Sequence, residues 1–295
     1  MGVAILSGVL DSQRSQQALA AASMASSVSS LHDSAAGDDL TELPNRYIAT
    51  VNRLESVRRL KKTFAQYPDI EIHAGKNVQA ARDADVILLG CKPQMVRDII
   101  AEEGMKEALD GKMVISICAG LRISQMVEWV TPNTKVVRAM PNTPCKIREG
   151  MTILTPLSPN LPNAELDRNI LLSIFSAVGR CRFLDEKHFD ACTALAGSGP
   201  AFACVFLEAM ADGGVMMGLP RQEALELAAQ TMQGAARMVM QSGMHPAAIK
   251  DSVTTPGGCT IAGLLNLEDG KVRSTVARTI QAAAEHASGL GQTKK

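Results

Sequence analysis

The sequence predicts a doubly wound α/β unit followed by an all-α unit, and three observations carry that reading. Short, almost uninterrupted apolar runs alternate with helical segments through the first half of the chain. The strand signal fades after about residue 150. Small and apolar residues at helical spacing then continue towards the C-terminus. Runs without polar alternation belong to parallel strands buried on both faces, and their alternation with helices builds a doubly wound sheet.

In chain order, residues 3–10 form an apolar helical stretch. Between 12 and 45 the pattern fails. Ser, Ala, Gln and Asp with few large apolar residues read there as a flexible low-complexity insertion, in which an alanine-rich helix over 16–24 is marginal by itself. A strand follows at 47–51 (YIATV), then a basic amphipathic helix at 54–67 and a short strand at 70–73. The runs 85–90 (DVILLG) and 113–118 (MVISIC) are nearly all apolar and mark buried strands. A last strand at 134–138 leads into Pro141-Asn-Thr-Pro144.

Beyond it, 165–178 is helical, 180–184 is a short segment, and 189–217 is a long small-residue helix interrupted at 197–200. Pro220 starts a helix with Leu225, Ala228, Met232, Ala235 and Val239 on one side, and Pro246 and Thr260 open two more. The boundary falls near residue 148, giving a dinucleotide-binding domain over 1–148 and a helical domain over 149–295. Many Ala, Gly and Met positions leave the later helices apolar over more than one face, so a homodimer or higher homo-oligomer is expected.

Composition narrows the function. Thirty basic residues balance 30 acidic ones, so no electrostatic footprint for nucleic acid or anionic membrane exists. Aromatics at 3% argue against stacking on bases or sugars. No uninterrupted apolar run approaches the roughly eighteen residues of a spanning helix, and no basic region precedes an apolar core at the start. Cysteines 91, 118, 145, 181, 192, 204 and 259 form no C-x-x-C pair and read as reduced, which predicts a cytoplasmic location. The histidines have no metal-seating spacing, so no metal is expected.

Two glycine-rich stretches stand out in the second half. In Pro256-Gly-Gly-Cys-Thr260, Gly257 and Gly258 let backbone N–H groups approach a ligand, and Thr260 opens a helix whose free donors favour an anion. Ala196-Gly-Ser-Gly-Pro-Ala-Phe202 reads as a second loop of the same kind. In the first half, Gly90-Cys91-Lys92-Pro93 and Cys118-Ala119-Gly120 follow apolar strands and lie on the carboxyl edge where ligands bind. At the end of the 47–51 strand, Asn52-Arg53 stands where an NAD-preferring Rossmann-type domain carries Asp or Glu. The absence of a carboxylate and the presence of Arg53 favour NADPH, with NADH also possible.

These residues and motifs resemble those of the pyrroline-5-carboxylate reductases. The likeness runs from Met1 to about Gly289, excluding 12–45, and rests on five motifs in order: Cys91-Lys-Pro, Arg138-Ala-Met-Pro-Asn-Thr-Pro, Ala196-Gly-Ser-Gly-Pro-Ala-Phe, Ala211-Asp-Gly-Gly-Val-Met-Met-Gly-Leu-Pro, and Pro256-Gly-Gly-Cys-Thr-Ile-Ala-Gly-Leu. The resemblance implies reduction of the cyclic imine 1-pyrroline-5-carboxylate to L-proline, the final step of proline biosynthesis, by hydride from NADPH or NADH. It places nucleotide contacts at Asn77, Cys91, Lys92 and Ala119, with Asn52 and Arg53 near the adenosine phosphate. It places substrate contacts at Glu186, Cys259 and Thr260, with Ser252 beside them. Several members of that family carry Ala where Cys259 stands and Asn where Ser252 stands. Hydride attack on C=N needs no nucleophile and no metal, and Thr260 is the candidate hydroxyl for the ring nitrogen.

The start of the chain departs from the pattern. A dinucleotide fold needs a strand, then G-x-G-x-x-G, then a helix, and here Gly2 alone stands before the helix at 3–10. The expectation is an N-terminally incomplete reading frame or an alternative start, with a missing first strand. A catalytically impaired chain that serves only as an oligomer subunit is the rival. A reductase of the β-hydroxyacid dehydrogenase type is the third reading; such enzymes carry a lysine in the substrate helix, and the 196–202 stretch has none.

Overall fold

The computed structural model describes residues 1–26 and 44–290, so part of the predicted insertion, 27–43, lies outside the described residues. The chain divides into two compact units: Met1–Cys192, joined by the stretch that starts at Ala287, and Thr193–His286.

Among the described residues seven strands belong to the first unit: β1 (Tyr47–Val51), β2 (Ile70–Ala74), β3 (Val86–Leu89), β4 (Met113–Ser116), β5 (Lys135–Met140), β6 (Gly150–Leu154) and β7 (Gly179–Phe183). β1 and β2 pair in parallel as one sheet, and β3-β4-β5-β6-β7 form another. Within the larger sheet every pairing is parallel except β5 with β6. β4 shows why the apolar runs are uninterrupted. Val114 packs with Val96, Ile100, Leu109 and Met126 on one face, while Met113 and Ile115 pack with Ile5, Leu171 and Phe175 on the other. Side chains alternate across a strand, so a strand covered by helices on both faces has no polar position to spare. Each of these buried side chains contributes ~1.5–3 kcal/mol.

The first helix, Gly2–Ser26, runs far past the apolar stretch that predicted it. The low-complexity reading of residues 12–26 is therefore corrected to helix. Ile5 and Val9 pack on β4, β5 and β6, and Leu10 packs with Leu60, Phe64 and Tyr67 beside the β1–β2 sheet. Polar anchors extend the grip beyond the apolar face. Asp11 accepts from the Tyr67 hydroxyl and pairs with Arg148. Gln13 accepts from Tyr47 at 3.0 Å, and Arg14 donates to the Gln66 carbonyl while its guanidinium lies 4.6 Å from the Tyr67 ring centre. A weakly patterned helix gains its stability from such tertiary contacts rather than from propensity.

The sheet does not end near residue 148. β6 and β7 continue it, and the compact units part at Cys192–Thr193, so the expected domain boundary moves some way down the chain. The strand signal was faint there because Gly150-Met-Thr-Ile-Leu and Gly179-Arg-Cys-Arg-Phe each open on glycine and carry polar residues. Those glycines are obligatory. They pair across β6–β7, and a Cβ on Gly179, whose φ is +139°, would stand 2.2 Å from the Gly150 carbonyl oxygen.

The second unit is helical. Its long helices are Gly199–Met216 and Arg221–Ser242, followed by Pro246–Ser252 and Cys259–Asp269, and Val272–Leu290 begins within it. The 196–202 stretch is not a loop. Thr193–Gly197 forms a π-helical turn closed by Ser198 N–H to the Thr193 carbonyl at 2.9 Å, and the following helix starts at Gly199. Gly and Ser here widen a helix without breaking its run. The buried seam of Arg221–Ser242 consists of Ala224 and Ala228 against Ala211, while Leu225 is 40% exposed. Ala228 of the predicted stripe is buried in that seam, but Ala224 takes the place of Leu225, and these small residues let the helices approach closely. Met210, Met216, Met217, Leu227 and Met240 remain exposed. By length and composition the run Glu186–Met216 also passes as a membrane-crossing helix, although polar and charged residues interrupt its apolar stretches.

Gly179→Ala is expected to lower stability by about 1–3 kcal/mol or more, because its Cβ meets backbone that cannot rotate away. Urea denaturation is the measurement; a wild-type midpoint would show that the β6–β7 crossing does not require glycine.

Candidate active site

The first helix and the strands run in opposite directions. Gly2 lies beside the carboxyl end of β3, since a Cβ on Gly90 would be 3.8 Å from the Gly2 Cα. Gln13 meets Tyr47, the first residue of β1. The eleven helical steps from Gly2 to Gln13 span ~16 Å, about the length of a five-residue strand. The helix N-terminus, with its free N–H donors, therefore sits on the carboxyl edge of the strands.

On that edge the structure gathers most of the residues read as nucleotide contacts. Cys91 is half-buried just past β3, exposed Lys92 precedes the helix Pro93–Ile100, and Ala119 is exposed past β4. Asn52 and Arg53 are exposed at the end of β1, where Arg53 is the residue before the helix Leu54–Thr63. Asn77 opens the helix Asn77–Asp83 after β2, and its amide donates to Glu102 at 2.8 Å. The lack of a Cβ on Gly90 and the small Ala119 leave backbone open to a flat ligand along this edge.

The second unit holds the other cluster. Thr255-Pro256-Gly257-Gly258 forms a tight turn closed by Gly258 N–H to the Thr255 carbonyl at 3.1 Å, with Gly257 at φ +68°. Pro second and a left-handed Gly third are the signature of a type II turn. A Cβ on Gly258 would stand 2.5 Å from Thr255 Oγ1, so both glycines are needed. The helix that follows starts at Cys259, one residue before the predicted Thr260. The N–H groups of Cys259, Thr260 and Ile261 thus have no acceptor within the helix and point out from its start. Thr260 is partly exposed. Ser252 ends the helix Pro246–Ser252, and its hydroxyl donates to the Ile249 carbonyl at 2.7 Å, leaving only its lone pairs for anything else.

Comparison with known proteins decides the family. The family model described as pyrroline-5-carboxylate reductase dimerisation matches residues 186–290, and that for the NADP oxidoreductase, coenzyme F420-dependent, matches residues 23–120. A pyrroline-5-carboxylate reductase of Schizosaccharomyces pombe is 46% identical over 87% of this chain and 90% of its own length. One from Lophium arboricola is 46% identical over 99% of this chain and 91% of its own. The crystal structure of Plasmodium falciparum pyrroline carboxylate reductase with NADP bound superposes with a TM-score of 0.69 at 30% identity, covering 84% of this chain and 99% of that one. The chain belongs to the pyrroline-5-carboxylate reductase family. The β-hydroxyacid dehydrogenase reading falls with that result.

Within this reductase fold, Glu186 has a different setting from the other predicted substrate residues. It lies in the first unit, where its Oε1 accepts from the Ile123 N–H at 2.9 Å and from the Arg138 guanidinium at 3.1 Å. Arg138 is 8% exposed through its side chain and also stacks over the Phe189 ring at 4.8 Å. Arg122, Arg138, Glu186, Lys187 and Asp190 line a polar recess of about 190 Å³ there. Sequence reasoning missed Arg138 as a determinant, although a signal existed: an Arg inside the otherwise apolar run Lys-Val-Val-Arg-Ala-Met must find a partner when buried. It also missed Cys118, whose thiol donates to the Cys91 carbonyl at 3.3 Å; spacing along the chain could not show that pair.

Glu186→Ala is expected to cost about 2–3 kcal/mol, below the ~3–5 of a fully buried pair because Glu186 retains 28% exposure. Chemical denaturation reads it, and unchanged stability with raised substrate KM would instead assign Glu186 purely to binding.

Proposed function

We infer that this chain reduces 1-pyrroline-5-carboxylate to L-proline, the last step of proline synthesis. The observation that carries the inference is the turn and helix start at Pro256–Thr260, a built anion cradle inside the segment that matches the family's own helical model. The substrate has one ionised carboxylate and one C=N bond, and the cradle offers backbone donors and one hydroxyl.

The chain's residues divide the work. The N–H groups of Cys259, Thr260 and Ile261 hold the carboxylate, where the helix end adds ~0.3–1 kcal/mol for an anion. The Thr260 hydroxyl hydrogen-bonds the ring nitrogen, fixing the face of the imine that is open to reduction. A bound nicotinamide nucleotide supplies the hydride. Lys92 and the Gly2 helix start attract its phosphates, while Gly90, Cys91 and Ala119 leave room along the carboxyl edge. The exposed Arg53 with no carboxylate beside it in the Asn52-Arg53 pair supports NADPH over NADH.

The apolar residues exposed on the second unit, among them Met216, Met217 and Met240, support a homodimer or larger homo-oligomer. The seven cysteines are free thiols, which fits the cytoplasmic location expected for the chain.

Thr260→Ala is expected to lower kcat/KM about 5- to 150-fold, the loss of one buried contact of ~1–3 kcal/mol, with unchanged circular dichroism. Wild-type kinetics would remove Thr260 from the mechanism. Arg53→Ala is expected to weaken NADPH binding and leave NADH binding unchanged, measured by nucleotide titration; equal losses would place Arg53 away from the 2′-phosphate. Absence of any nucleotide binding by the unmodified chain would favour the rival reading, an oligomer subunit without catalysis.

A further inference from the structure

We propose that Cys91 and Cys118 form a redox pair which closes into a disulfide on exposure to a hydroperoxide and disables the nucleotide edge. The geometry starts from strand register. β3 and β4 are parallel, with Leu89 opposite Ser116, and the ladder continues through Ile117 N–H to the Leu89 carbonyl at 3.2 Å. Two residues beyond the last paired positions come Cys91 on one side and Cys118 on the other. Neighbouring strands lie about 4.8 Å apart, inside the ~4.4–6.8 Å between Cα atoms that a disulfide spans.

The buried thiol also already reaches the turn that carries the other. Buried Cys118 donates to the Leu89 carbonyl at 3.5 Å and the Cys91 carbonyl at 3.3 Å. The neighbouring Cys118 thiol brings the Cys91 thiol down from 9.0 to about 7, while Cys91 and burial push Cys118 up. Both residues lie past the strand ends, where the backbone is not committed to a ladder or a helix.

This asymmetry assigns the roles. Half-exposed Cys91 is the attacking thiolate and buried Cys118 the resolving thiol. The Cys91 sulfur attacks one peroxide oxygen: an S–O bond forms, the O–O bond breaks, and the departing hydroxide takes a proton to leave as water. Cys91 is then a sulfenic acid. The Cys118 sulfur attacks it: an S–S bond forms, the S–O bond breaks, and the hydroxide leaves as a second water with the Cys118 proton. Two thiols are oxidised, one hydrogen peroxide is reduced, and two waters result.

The consequence for function rests on the reading of this edge as the nucleotide site. A bond between the sulfurs draws the Gly90–Lys92 turn towards the Ala119–Gly120 turn and narrows the opening that the small residues leave.

The test treats the full chain with hydrogen peroxide, maps peptides without reduction, and titrates NADPH before and after. Expected are a linked peptide joining Cys91 and Cys118, loss of NADPH binding, and recovery of both on adding dithiothreitol. Cys118→Ser keeps NADPH binding when reduced and retains it after peroxide. No linked peptide overturns the pair, and a linked peptide with unchanged NADPH affinity overturns the switch. A reduced chain that binds no NADPH overturns the nucleotide reading, whereas peptide mapping still reports the disulfide independently.

A second measurement needs no variant. The titratable groups beside Cys91 are Cys118, across the strand ends, and Lys92, next in the chain. The thiolate is the reactive form and its pKa is lowered, so iodoacetamide labelling of Cys91 rises through a midpoint at about pH 7. A midpoint at the ordinary thiol value of 9.0 would overturn the assignment of roles.

Discussion

Among the described residues the two sheets of the first unit share no ladder hydrogen bond, so side-chain packing holds them together, much of it through the first helix. Gly2–Ser26 does this by presenting Ile5 and Val9 to the larger sheet and Leu10 to the smaller one. Its polar residues then clamp the rim, with Asp11 engaged by both Tyr67 and Arg148. The carboxyl edge depends on that helix twice over. It aligns β1 with β3, and its own first N–H groups lie beside Gly90, among the residues that line the edge. A change on the far side of the helix, at Leu10 or Asp11, acts on the edge through packing rather than through contact with a ligand.

The second unit solves a smaller problem with glycine. A type II turn delivers the chain into a helix whose first three donors are unsatisfied, and it needs Gly257 for its backbone angle and Gly258 for its clearance from Thr255. The turn itself consumes the Gly258 N–H, and the donors of the three residues after it are left free at the helix start. Thr260 then stands second in the helix, so the same turn that frees the donors also sets where its hydroxyl lies. A five-residue motif thus sets both the charge preference and the polar contact.

Strands whose burial is symmetric were legible in the sequence: 85–90 and 113–118 contain β3 and β4. Those held by pairing rather than by apolar content were not. β6 and β7 carry glycine, Thr and Arg, and their register depends on a Gly150–Gly179 crossing that no local pattern encodes. The helical continuation over 12–26 was hidden for a similar reason, since its partners Tyr67, Gln66 and Tyr47 lie more than thirty residues away. At the site, the glycine motifs and strand ends located the edge and the cradle, because backbone conformation is written locally. The Arg138–Glu186 pair was half legible: the buried Arg announced a need, and only the fold supplied its partner.

That pair also explains where the chain leaves the first unit. β5 carries Val136 and Arg138 on one face and Val137 and Ala139 on the other, so Arg138 enters the helix layer in which Met126 is buried. A guanidinium there requires a carboxylate, and the residue that answers is Glu186, three positions before fully buried Phe189. The same carboxylate oxygen takes the Ile123 N–H, one of the orphan donors at the start of the helix Ile123–Val127. Phe189 then lies under the Arg138 plane. Apolar burial by itself would accept the Glu186–Phe189 segment in several offsets. One oxygen shared between a fixed guanidinium and a fixed amide accepts far fewer, so the exit of the helical segment is set by hydrogen-bond geometry and merely filled by the ring.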